Sequence, residues 1–576
     1  MESKGSDVTC SLAAAVYRHG RDTPQALAVA SEGRSLTYGQ LAGHAARLAR
    51  RLAAAPGWPA GDARRSGAGA PRVGILASRS VDACIAVVGA AWAGATYVPL
   101  GLRLPDERLL TILSVCGLAA IVADAKGIAR LNQRILQAAP GCVLALGERS
   151  FGGGAGDAGG RIDWLDTASL DTASLDTSSG GHAPARFLPG TSCRSDASVT
   201  GTPLPTGDEL AAPAPMAGGD TAYIIFTSGT TGTPKGVMIP LLAARHYIDT
   251  MTRKLGLRSS DRVLESCELT FDFSVHNMFT TWESGASLHV LPASRAMGAV
   301  RFARVNGLTV WNSVPSLAGL LRQVKALAPG ALSGLRLTVF GGEQLSQGTV
   351  QAWRSAAPTT AIWNLYGPTE ATVYCLAQPV IGTASHSPGK DAIAIGTALP
   401  GNEAAVLDAH RKPVAAGQAG ELAITGVQLA AGYLRAPEQT AARFPTLAGR
   451  RWYLTGDLAT CDEAGIFHWL GRLDNQVKLL GHRVELEEVD AHLRIVADAD
   501  LVGTIAWPLS DAGAQGLVAF VAGNAIDEAG IIAALRQRLP PYMIPARVVL
   551  LAAMPLNANG KVDRQALRQR LEQEAA

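Results

Sequence analysis

The feature that most constrains this chain is an apolar run that ends in a loop of glycines and hydroxyl side chains. Residues 222–226 read AYIIF, and residues 227–236 read TSGTTGTPKG, with three glycines, five hydroxyls and one lysine. A β-branched and aromatic run predicts a buried strand, and the glycine-rich continuation predicts a loop at its end. Glycines let backbone N–H groups approach an anion closely, and Lys235 adds a positive charge. The stretch therefore predicts a phosphate cradle, named here the anion loop (residues 227–236).

Composition narrows the class of protein. The chain has 576 residues, is 48% hydrophobic and 17% charged, and carries a net charge of +3. This length allows several domains, and the near-neutral charge predicts neither a nucleic-acid partner nor an anionic membrane. The eight cysteines include no C-x-x-C pair, which favours a reducing cytoplasm over a zinc site or a disulfide framework. The uncharged residues 83–102 predict a buried helix and strand, not a membrane span.

Strand and helix patterns alternate along most of the chain. Residues 73–100, for example, read as a strand, a helix of small residues and a second strand. Such alternation indicates an α/β fold with largely parallel sheets. A glycine-punctuated, β-rich section at residues 392–470 predicts a β-barrel-like part. Since the pattern restarts at Asp474, the sequence predicts a large domain at residues 1–473 and a small, mobile α/β domain at residues 474–576.

Residues 150–219 differ from the rest in composition. They are rich in Gly, Ala, Ser, Asp and Pro, and residues 165–179 repeat LDTAS, LDTAS, LDTSS. A segment with so few apolar side chains cannot bury enough surface to offset the entropy of ordering. The sequence therefore predicts a mostly disordered surface insert at residues 150–219.

Several motifs, in order along the chain, resemble those of the adenylate-forming superfamily, which includes acyl-CoA synthetases, luciferases and the adenylation domains of nonribosomal peptide synthetases. They are LTYGQL (36–41), GATYVP (94–99), TSGTTGTPKG (227–236), NLYGPTE (364–370), YLTGD (453–457), GRLDNQVK (471–478) and NANGKVDR (557–564). The resemblance to the peptide-synthetase adenylation domains covers nearly the whole chain. It implies a ligase in which a substrate carboxylate attacks the α-phosphorus of ATP, pyrophosphate leaves, and the adenylate passes to a thiol.

The resemblance also implies roles at the ATP site. The departing phosphates would be held by Lys235 and by the first residues of the anion loop, which are Thr227, Ser228, Gly229, Thr230, Thr231 and Gly232. The NLYGPTE motif would supply adenine contacts from Asn364 and Tyr366 and a phosphate contact from Thr369, with Gly367 also at the ATP site. Glu370 would bind Mg²⁺, a role that suits a hard carboxylate oxygen.

The later motifs imply the remaining catalytic parts. Asp457 would accept hydrogen bonds from both ribose hydroxyls, Arg472 would bind the ribose, and Asp474 would be the hinge between the domains. Residues 481–488 resemble the loop that lines the thiol channel, with His482 in place of the usual aromatic residue. Lys561 matches the catalytic lysine, which would bridge the substrate carboxylate and the α-phosphate.

The substrate class depends on Asp272. In members that activate amino acids, an aspartate at this position pairs with the α-ammonium group; the alternative is that Asp272 caps the helix that begins beside it. The resemblance implies a side-chain pocket formed by nine residues in all, namely Asp272, Phe273, His276, Asn312, Val339, Gly341, Leu365, Val373 and Tyr374. A buried polar pocket rejects substrates that leave its groups unpaired, so the sequence predicts threonine or another small polar or β-hydroxy amino acid.

The predicted partners follow from the resemblance. The sequence predicts a free-standing cytoplasmic enzyme that uses ATP and Mg²⁺ and transfers its amino acid to the phosphopantetheine thiol of a separate carrier protein. A small MbtH-type activator is a further possible partner. The alternative is an acyl- or aryl-CoA ligase that uses coenzyme A as the acceptor.

Overall fold

The computed structural model describes most of the chain. The described residues are 11–31, 33–58, 69–147, 162–167, 209–229, 234–382, 386–387, 391–479, 481–510, 513–523, 527–557 and 562–575. Within these ranges, no helix combines the length and the apolar character that a membrane crossing requires.

The first part of the chain supplies strands and helices in alternation. Its strands are β1 (Leu27–Ser31), β2 (Arg34–Thr37), β3 (Arg72–Leu76), β4 (Thr96–Pro99), β5 (Ala120–Ala123), β6 (Val143–Leu146), β7 (Ile162–Leu165), β8 (Thr221–Thr227) and β9 (Lys235–Pro240). Its helices are α1 (Ala14–Asp22), α2 (Tyr38–Ala53), α3 (Val81–Trp92), α4 (Asp106–Cys116), α5 (Ala125–Arg130) and α6 (Gln133–Ala138).

The middle part continues the alternation. Its helices are α7 (Leu241–Lys254), α8 (Phe273–Val275), α9 (Thr281–Glu283), α10 (Ala299–Val305), α11 (Pro315–Gln323) and α12 (Gln347–Ala356). A π-helical turn (His276–Thr280) joins α8 to α9. Its strands are β10 (Arg262–Glu265), β11 (Ser287–Val290), β12 (Val310–Ser313), β13 (Leu337–Gly341), β14 (Ala361–Tyr366), β15 (Leu376–Pro379) and β16 (Thr397–Ala398).

The last parts are a β-rich section and the C-terminal region (residues 476–575). The β-rich section contains β17 (Asn402–Leu407), β18 (Gly420–Gly426), β19 (Gly432–Tyr433), α13 (Pro437–Arg443), β20 (Thr446–Leu447), β21 (Arg450–Arg451), β22 (Tyr453–Cys461) and β23 (Phe467–Arg472). The C-terminal region contains β24 (Gln476–Leu479), β25 (His482–Glu485), α14 (Leu486–Ala497), β26 (Val502–Ala506), β27 (Leu509–Ser510), β28 (Gly513–Ala514), β29 (Leu517–Ala522), α15 (Glu528–Arg536), β30 (Arg547–Leu551) and α16 (Arg564–Ala575).

Two large mixed sheets organise the part of the chain before the C-terminal region. One has the strand order β19-β9-β8-β4-β3-β5-β6-β7, and the other has the order β16-β15-β14-β13-β12-β10-β11-β1-β2. The interior pairs of both sheets are parallel, and antiparallel pairs lie towards the edges. Parallel strands need crossover helices that cover the sheet faces. The predicted α/β fold with parallel-rich sheets is confirmed.

Helix α3 shows why the uncharged sequence of this region does not indicate a membrane. Every residue of the helix except Asp82 is buried, and α3 packs against α2 and strands of both large sheets. A helix that is apolar all round belongs in the core of a large protein or in a bilayer. Here Ser80 caps it by accepting a hydrogen bond from the Ala83 N–H at 3.1 Å.

The β-rich section forms a four-stranded antiparallel sheet in the order β17-β18-β22-β23. Its described strands do not close into a ring, although the sequence suggested a barrel-like part. The register of β22 and β23 places Asp457 directly opposite Arg472. The C-terminal region has sheets of its own, in the orders β25-β24-β28-β27 and β26-β29-β30.

Two parts of the insert predicted at residues 150–219, residues 162–167 and 209–219, are described by the structure and contact the rest of the chain. Strand β7 pairs in parallel with β6 over four residues, and the Thr167 hydroxyl donates to Asp82 at 2.8 Å. Leu210 and Met216 are buried in the main core. A few apolar side chains in a polar segment are enough to add an edge strand, and the average composition conceals them. Residues 168–208, which hold most of the repeat, lie outside the described residues.

Excision of residues 172–204 is expected to leave the activity and the thermal unfolding midpoint of the protein within experimental error of the full chain. None of the described contacts is lost in that variant, and the entropy of closing a chain connection changes only slowly with its length. Excision of residues 162–167 is the matched control, since it removes β7 and the hydrogen bond to Asp82. Circular dichroism melting measures the thermal unfolding midpoint of both variants. An equal drop in the midpoint of both would contradict the expectation that only residues 162–167 contribute to stability.

Candidate functional site

The candidate site lies where parallel strands of the second sheet end. Asn312 is opposite Val339 on β12 and β13, and Gly341 is opposite Leu365 on β13 and β14. These four predicted pocket residues therefore lie near the carboxyl ends of three neighbouring strands, which is where α/β sheets bind ligands.

A cavity of about 380 Å³, the inner cavity, opens beside these strand ends. Its walls include Asn364, Tyr366, Asp457 and Arg472. The Asn364 amide donates to the Ala394 carbonyl at 2.8 Å, whereas its own buried Oδ1 has no protein partner. A buried acceptor without a donor is costly, and the amino group of an adenine would satisfy it.

Asp457 is held rigidly in the wall of the inner cavity. The Tyr366 hydroxyl donates to its Oδ2, and the Trp469 indole donates to its Oδ1 at 2.8 Å. Arg472 lies 3.1 Å from the same carboxylate and also makes two hydrogen bonds to Asp474, at 2.8 and 2.6 Å. A carboxylate has about four lone-pair sites, so Asp457 can accept further hydrogen bonds from a ligand.

The described part of the anion loop contacts the C-terminal region. Thr227 and Lys235 pair across β8 and β9, so the loop starts and ends at adjacent strand ends. The Ser228 hydroxyl donates to the Arg483 carbonyl at 2.8 Å, and the Gly229 N–H donates to the Glu488 carboxylate at 3.1 Å. An anion, the carboxylate of Glu488, is thus bound to the loop. The predicted ligands Thr230, Thr231 and Gly232 lie outside the described residues.

Glu370 is paired with a cation from the C-terminal region. Both of its oxygens accept from Arg483, at 3.0 and 2.9 Å, and one accepts from the Tyr433 hydroxyl at 2.8 Å. Burial opposes ionisation, but the Arg483 guanidinium outweighs it and holds the pKa of Glu370 below its usual value. The carboxylate suits Mg²⁺ chemically. In this structure, however, the Arg483 guanidinium contacts both oxygens of the Glu370 carboxylate, so a metal ion does not fit there.

Asp272 lies at the start of α8 and is almost fully buried. It makes no side-chain cap of the helix, so the capping alternative is wrong. Its Oδ2 has no protein partner, and the carboxyl group accepts a hydrogen bond from Thr369. Burial raises the pKa of Asp272 from 3.8 to about 6. A buried carboxylate oxygen without a partner is suited to a substrate cation.

Three rings meet beside Asp272. The Tyr374 ring centroid lies 5.3 Å from that of Phe273 and 6.0 Å from that of His276. The Tyr247 hydroxyl is 2.7 Å from Nδ1 of His276, and burial lowers the pKa of His276 to about 3. The histidine is therefore neutral. Its Nε2 and the Oδ1 of Asn312 are buried without protein partners.

The segment that carries Tyr374 is strained and tightly held. Thr372 and Val373 both have left-handed backbone angles, with φ of 56° and 65°, which is rare for a β-branched residue. The buried Gln428 amide donates to the Tyr374 carbonyl at 2.8 Å, and the Thr372 hydroxyl donates to the Gln428 carbonyl at 2.6 Å. Such strain persists only where the surrounding structure enforces it, and it concentrates at functional sites.

A second cavity of about 750 Å³, the outer cavity, is lined in part by Asp272 and Thr369. The C-terminal region forms part of its wall through His482, Arg483 and Tyr542. The His482 and Tyr542 rings are stacked, with centroids 4.0 Å apart. The loop at residues 481–488, which the sequence places at a thiol channel, thus lies at a cavity that reaches the predicted amino-acid site.

Some contacts of the site were not predicted from the sequence. Arg108 pairs with Glu488, and the Gly481 N–H donates to Glu343. Arg483 and Glu488 lie in the motif at residues 481–488. The motif indicated that they belong to the site, but it did not indicate which residues they contact. The predicted catalytic Lys561 lies outside the described residues.

Comparison with known proteins agrees with this geometry. Residues 16–434 match the family model of the AMP-binding enzyme. The chain is 32% identical over 558 residues to AMB antimetabolite synthetase AmbB of Pseudomonas aeruginosa, which covers 95% of this chain and 38% of that protein. It is 29% identical over 557 residues to tyrocidine synthase 3 of Brevibacillus parabrevis, which covers 95% of this chain and 7% of that protein. The chain thus spans less than half the length of both relatives.

Among solved structures, the chain is similar to the Vibrio cholerae adenylation domain AlmE, which was determined in complex with glycyl-adenosine-5'-phosphate. The TM-score is 0.79 at 27% identity, with all of both chains covered. The family match extends over most of the chain, from α1 to the β-rich section. The chain therefore belongs to the family of AMP-binding enzymes, as an adenylation domain of the adenylate-forming superfamily.

Proposed function

We propose that this enzyme activates a small α-amino acid as its aminoacyl-AMP and transfers the aminoacyl group to a thiol. The observation that carries the proposal is the buried Asp272 carboxylate, whose Oδ2 has no protein partner and which lines the outer cavity. An α-ammonium group would satisfy this oxygen, whereas a fatty or aryl acid would leave it unpaired. Leaving a buried charge unpaired costs about 3–5 kcal/mol.

The chain's own residues would position the reactants. The adenosine of ATP would occupy the inner cavity, with its amino group on Asn364 and its ribose on Asp457. The substrate carboxylate would then attack the α-phosphorus, and no side-chain nucleophile is needed, because alignment and charge neutralisation lower the barrier. Lys561 would supply the positive charge between carboxylate and phosphate.

Mg²⁺ at Glu370 belongs to a different arrangement of the C-terminal region. The metal would neutralise charge on the phosphates, as it does in other phosphoryl-binding sites. Because Arg483 occupies the Glu370 carboxylate in this structure, metal binding requires that Arg483 withdraw. Movement about Asp474, in the connection between β23 and β24, would accomplish this.

The proposed acceptor is the phosphopantetheine thiol of a carrier protein. The outer cavity supports a thiol acceptor of this kind. Residues of the C-terminal region and of the rest of the chain line the cavity together, and Asp272 is one of them. Tyrocidine synthase 3 and AmbB, by their names, are synthetases, and adenylation domains solved together with a carrier domain share the fold. An MbtH-type activator remains a prediction from the resemblance.

Two observations bear on which amino acid is the substrate. The sequence predicts threonine or a related hydroxylated residue, and the unpartnered His276 Nε2 and Asn312 Oδ1 would suit a hydroxyl group. The neighbouring structure AlmE holds a glycyl adenylate, which supports an α-amino acid as substrate.

ATP–pyrophosphate exchange over a panel of amino, fatty and aryl acids tests the proposal. We expect exchange with at least one small amino acid and none with the other acids. Exchange with fatty or aryl acids alone would establish the alternative, an acyl- or aryl-CoA ligase. An assay with coenzyme A, and separately with a carrier protein whose phosphopantetheine thiol is free, then identifies the acceptor.

The KM for the amino acid is expected to fall as the pH rises from about 5 to 7 and to level off above that. The pKa of Asp272 is raised to about 6, and only the ionised carboxylate pairs with an ammonium group. Below the pKa, each pH unit is worth about a tenfold change in the ionised fraction. Exchange kinetics at saturating ATP measure this. Asp272→Asn should give a flat profile, and a wild-type profile that is equally flat would contradict the role of Asp272.

A further inference from the structure

The Tyr374 ring fills the space between the two walls of the amino-acid pocket. The hydroxyl end of the ring lies against Gly341 at the end of β13. A Cβ atom placed on Gly341 would stand 2.5 Å from Cζ and 2.6 Å from Cε1 of the ring, far inside the ~3.5–4.0 Å of normal contact. Only a glycine lets the ring come so close to the strand.

The same ring touches the opposite wall. Phe273 packs on it edge to face, at an interplanar angle of 84°, and His276 lies at 73°. Exposure of Tyr374 is 2%, and that of Phe273 and His276 is 0%. Since Phe273 follows Asp272 directly, a substrate whose ammonium group binds Asp272 would direct its side chain into this packed group of rings.

The backbone prevents an easy retreat of the ring. The hydrogen bond from Gln428 fixes the Tyr374 carbonyl, and Gly367 packs so closely that a Cβ there would stand 2.5 Å from the Tyr374 Cα. Asn402 in turn donates to the Gln428 side chain at 2.6 Å. The backbone that carries the Tyr374 ring is therefore held in place on both sides.

We propose that Tyr374 restricts the substrate to glycine and alanine, whose side chains are a hydrogen atom and a methyl group. The inference rests on the proposed function and makes it more specific. Threonine would have to displace the ring to reach the unpartnered atoms of His276 and Asn312. Overfilling a packed space forces side chains off their preferred rotamers and shifts the backbone, which is unfavourable.

The test compares wild type, Tyr374→Ala and Tyr374→Phe in ATP–pyrophosphate exchange with glycine, alanine, serine, threonine, valine and leucine. For wild type, we expect kcat/KM for glycine or alanine to exceed that for threonine and valine by about 10–200-fold. Tyr374→Ala should reduce this gap at least tenfold. Tyr374→Phe keeps the ring volume and should preserve the gap, which separates volume from the hydroxyl group.

The outcomes separate this inference from the proposed function. A wild-type preference for threonine, valine or leucine would overturn the role of Tyr374 and leave amino-acid activation intact. Absence of exchange with every amino acid would overturn the proposed function itself. If Tyr374→Ala fails to fold by thermal melting, Tyr374→Leu takes its place, and an unchanged substrate ranking in that variant would also overturn the inference.

Discussion

Replacing Asp272 by alanine is expected to lower kcat/KM for the amino acid by about 10²–10³-fold, with little change in the affinity for ATP. The substrate ammonium group would enter a buried site without its counter-charge, and breaking such a buried pair costs about 3–5 kcal/mol. Because Asp272 makes no helix cap, the loss should appear in substrate binding and not in stability. Exchange kinetics with varied amino acid, and separately with varied ATP, measure both effects.

Glu265→Gln is the matched control for Asp272→Ala. Glu265 is also a buried carboxyl group, and its oxygen accepts from the Cys267 N–H and from Asn277. Burial raises the pKa of Glu265 to about 8, so at neutral pH the group is mostly protonated and a glutamine resembles it closely. Similar losses in both variants would mean that a general disturbance of the core, and not the loss of an ammonium partner, explains the Asp272 result.

The fold was predictable because it depends on local patterns. Alternating strands and helices indicated parallel sheets, and the strand predicted before the anion loop is β8, which ends at Thr227. Residues that share one motif, such as Asn364 and Tyr366, also share one cavity wall. These features follow from the strand period and from turn residues within a few positions of one another.

The contacts between distant segments were not predictable in the same way. Arg108 and Glu488 are 380 positions apart, and Arg483 and Glu370 are 113 apart. Nothing in either local sequence indicates which partner a charged side chain will find. The width of the amino-acid pocket was missed for a similar reason: the sequence supplied Gly341 and Tyr374 as wall residues, but only the structure shows the ring lying on the glycine.

Replacing Arg483 by alanine is expected to slow transfer of the aminoacyl group to a thiol by about 10²–10³-fold and to leave ATP–pyrophosphate exchange within a few-fold of wild type. In this structure Arg483 is the cation beside the buried Glu370, and removing one partner of a buried pair costs about 3–5 kcal/mol. Meanwhile the Glu488 carboxylate occupies the Gly229 N–H of the anion loop. This arrangement is therefore compatible with neither Mg²⁺ at Glu370 nor a phosphate at Gly229, so it belongs to states in which the phosphates of ATP are not bound, among them the state after pyrophosphate has left.

Two measurements separate the steps for the Arg483 variant. Exchange reports adenylate formation, and single-turnover transfer of preformed aminoacyl-AMP to a carrier or pantetheine thiol reports the second step. Arg450→Ala is the matched control, because Arg450 forms two hydrogen bonds with Glu403 at 2.7 and 2.9 Å in an exposed position, and exposed ion pairs are worth about 0–1 kcal/mol. Equal losses in both steps for Arg483→Ala would place Arg483 in ATP binding or in folding. A loss confined to transfer would mean that the contact with Glu370 holds the C-terminal region in the arrangement that admits the thiol.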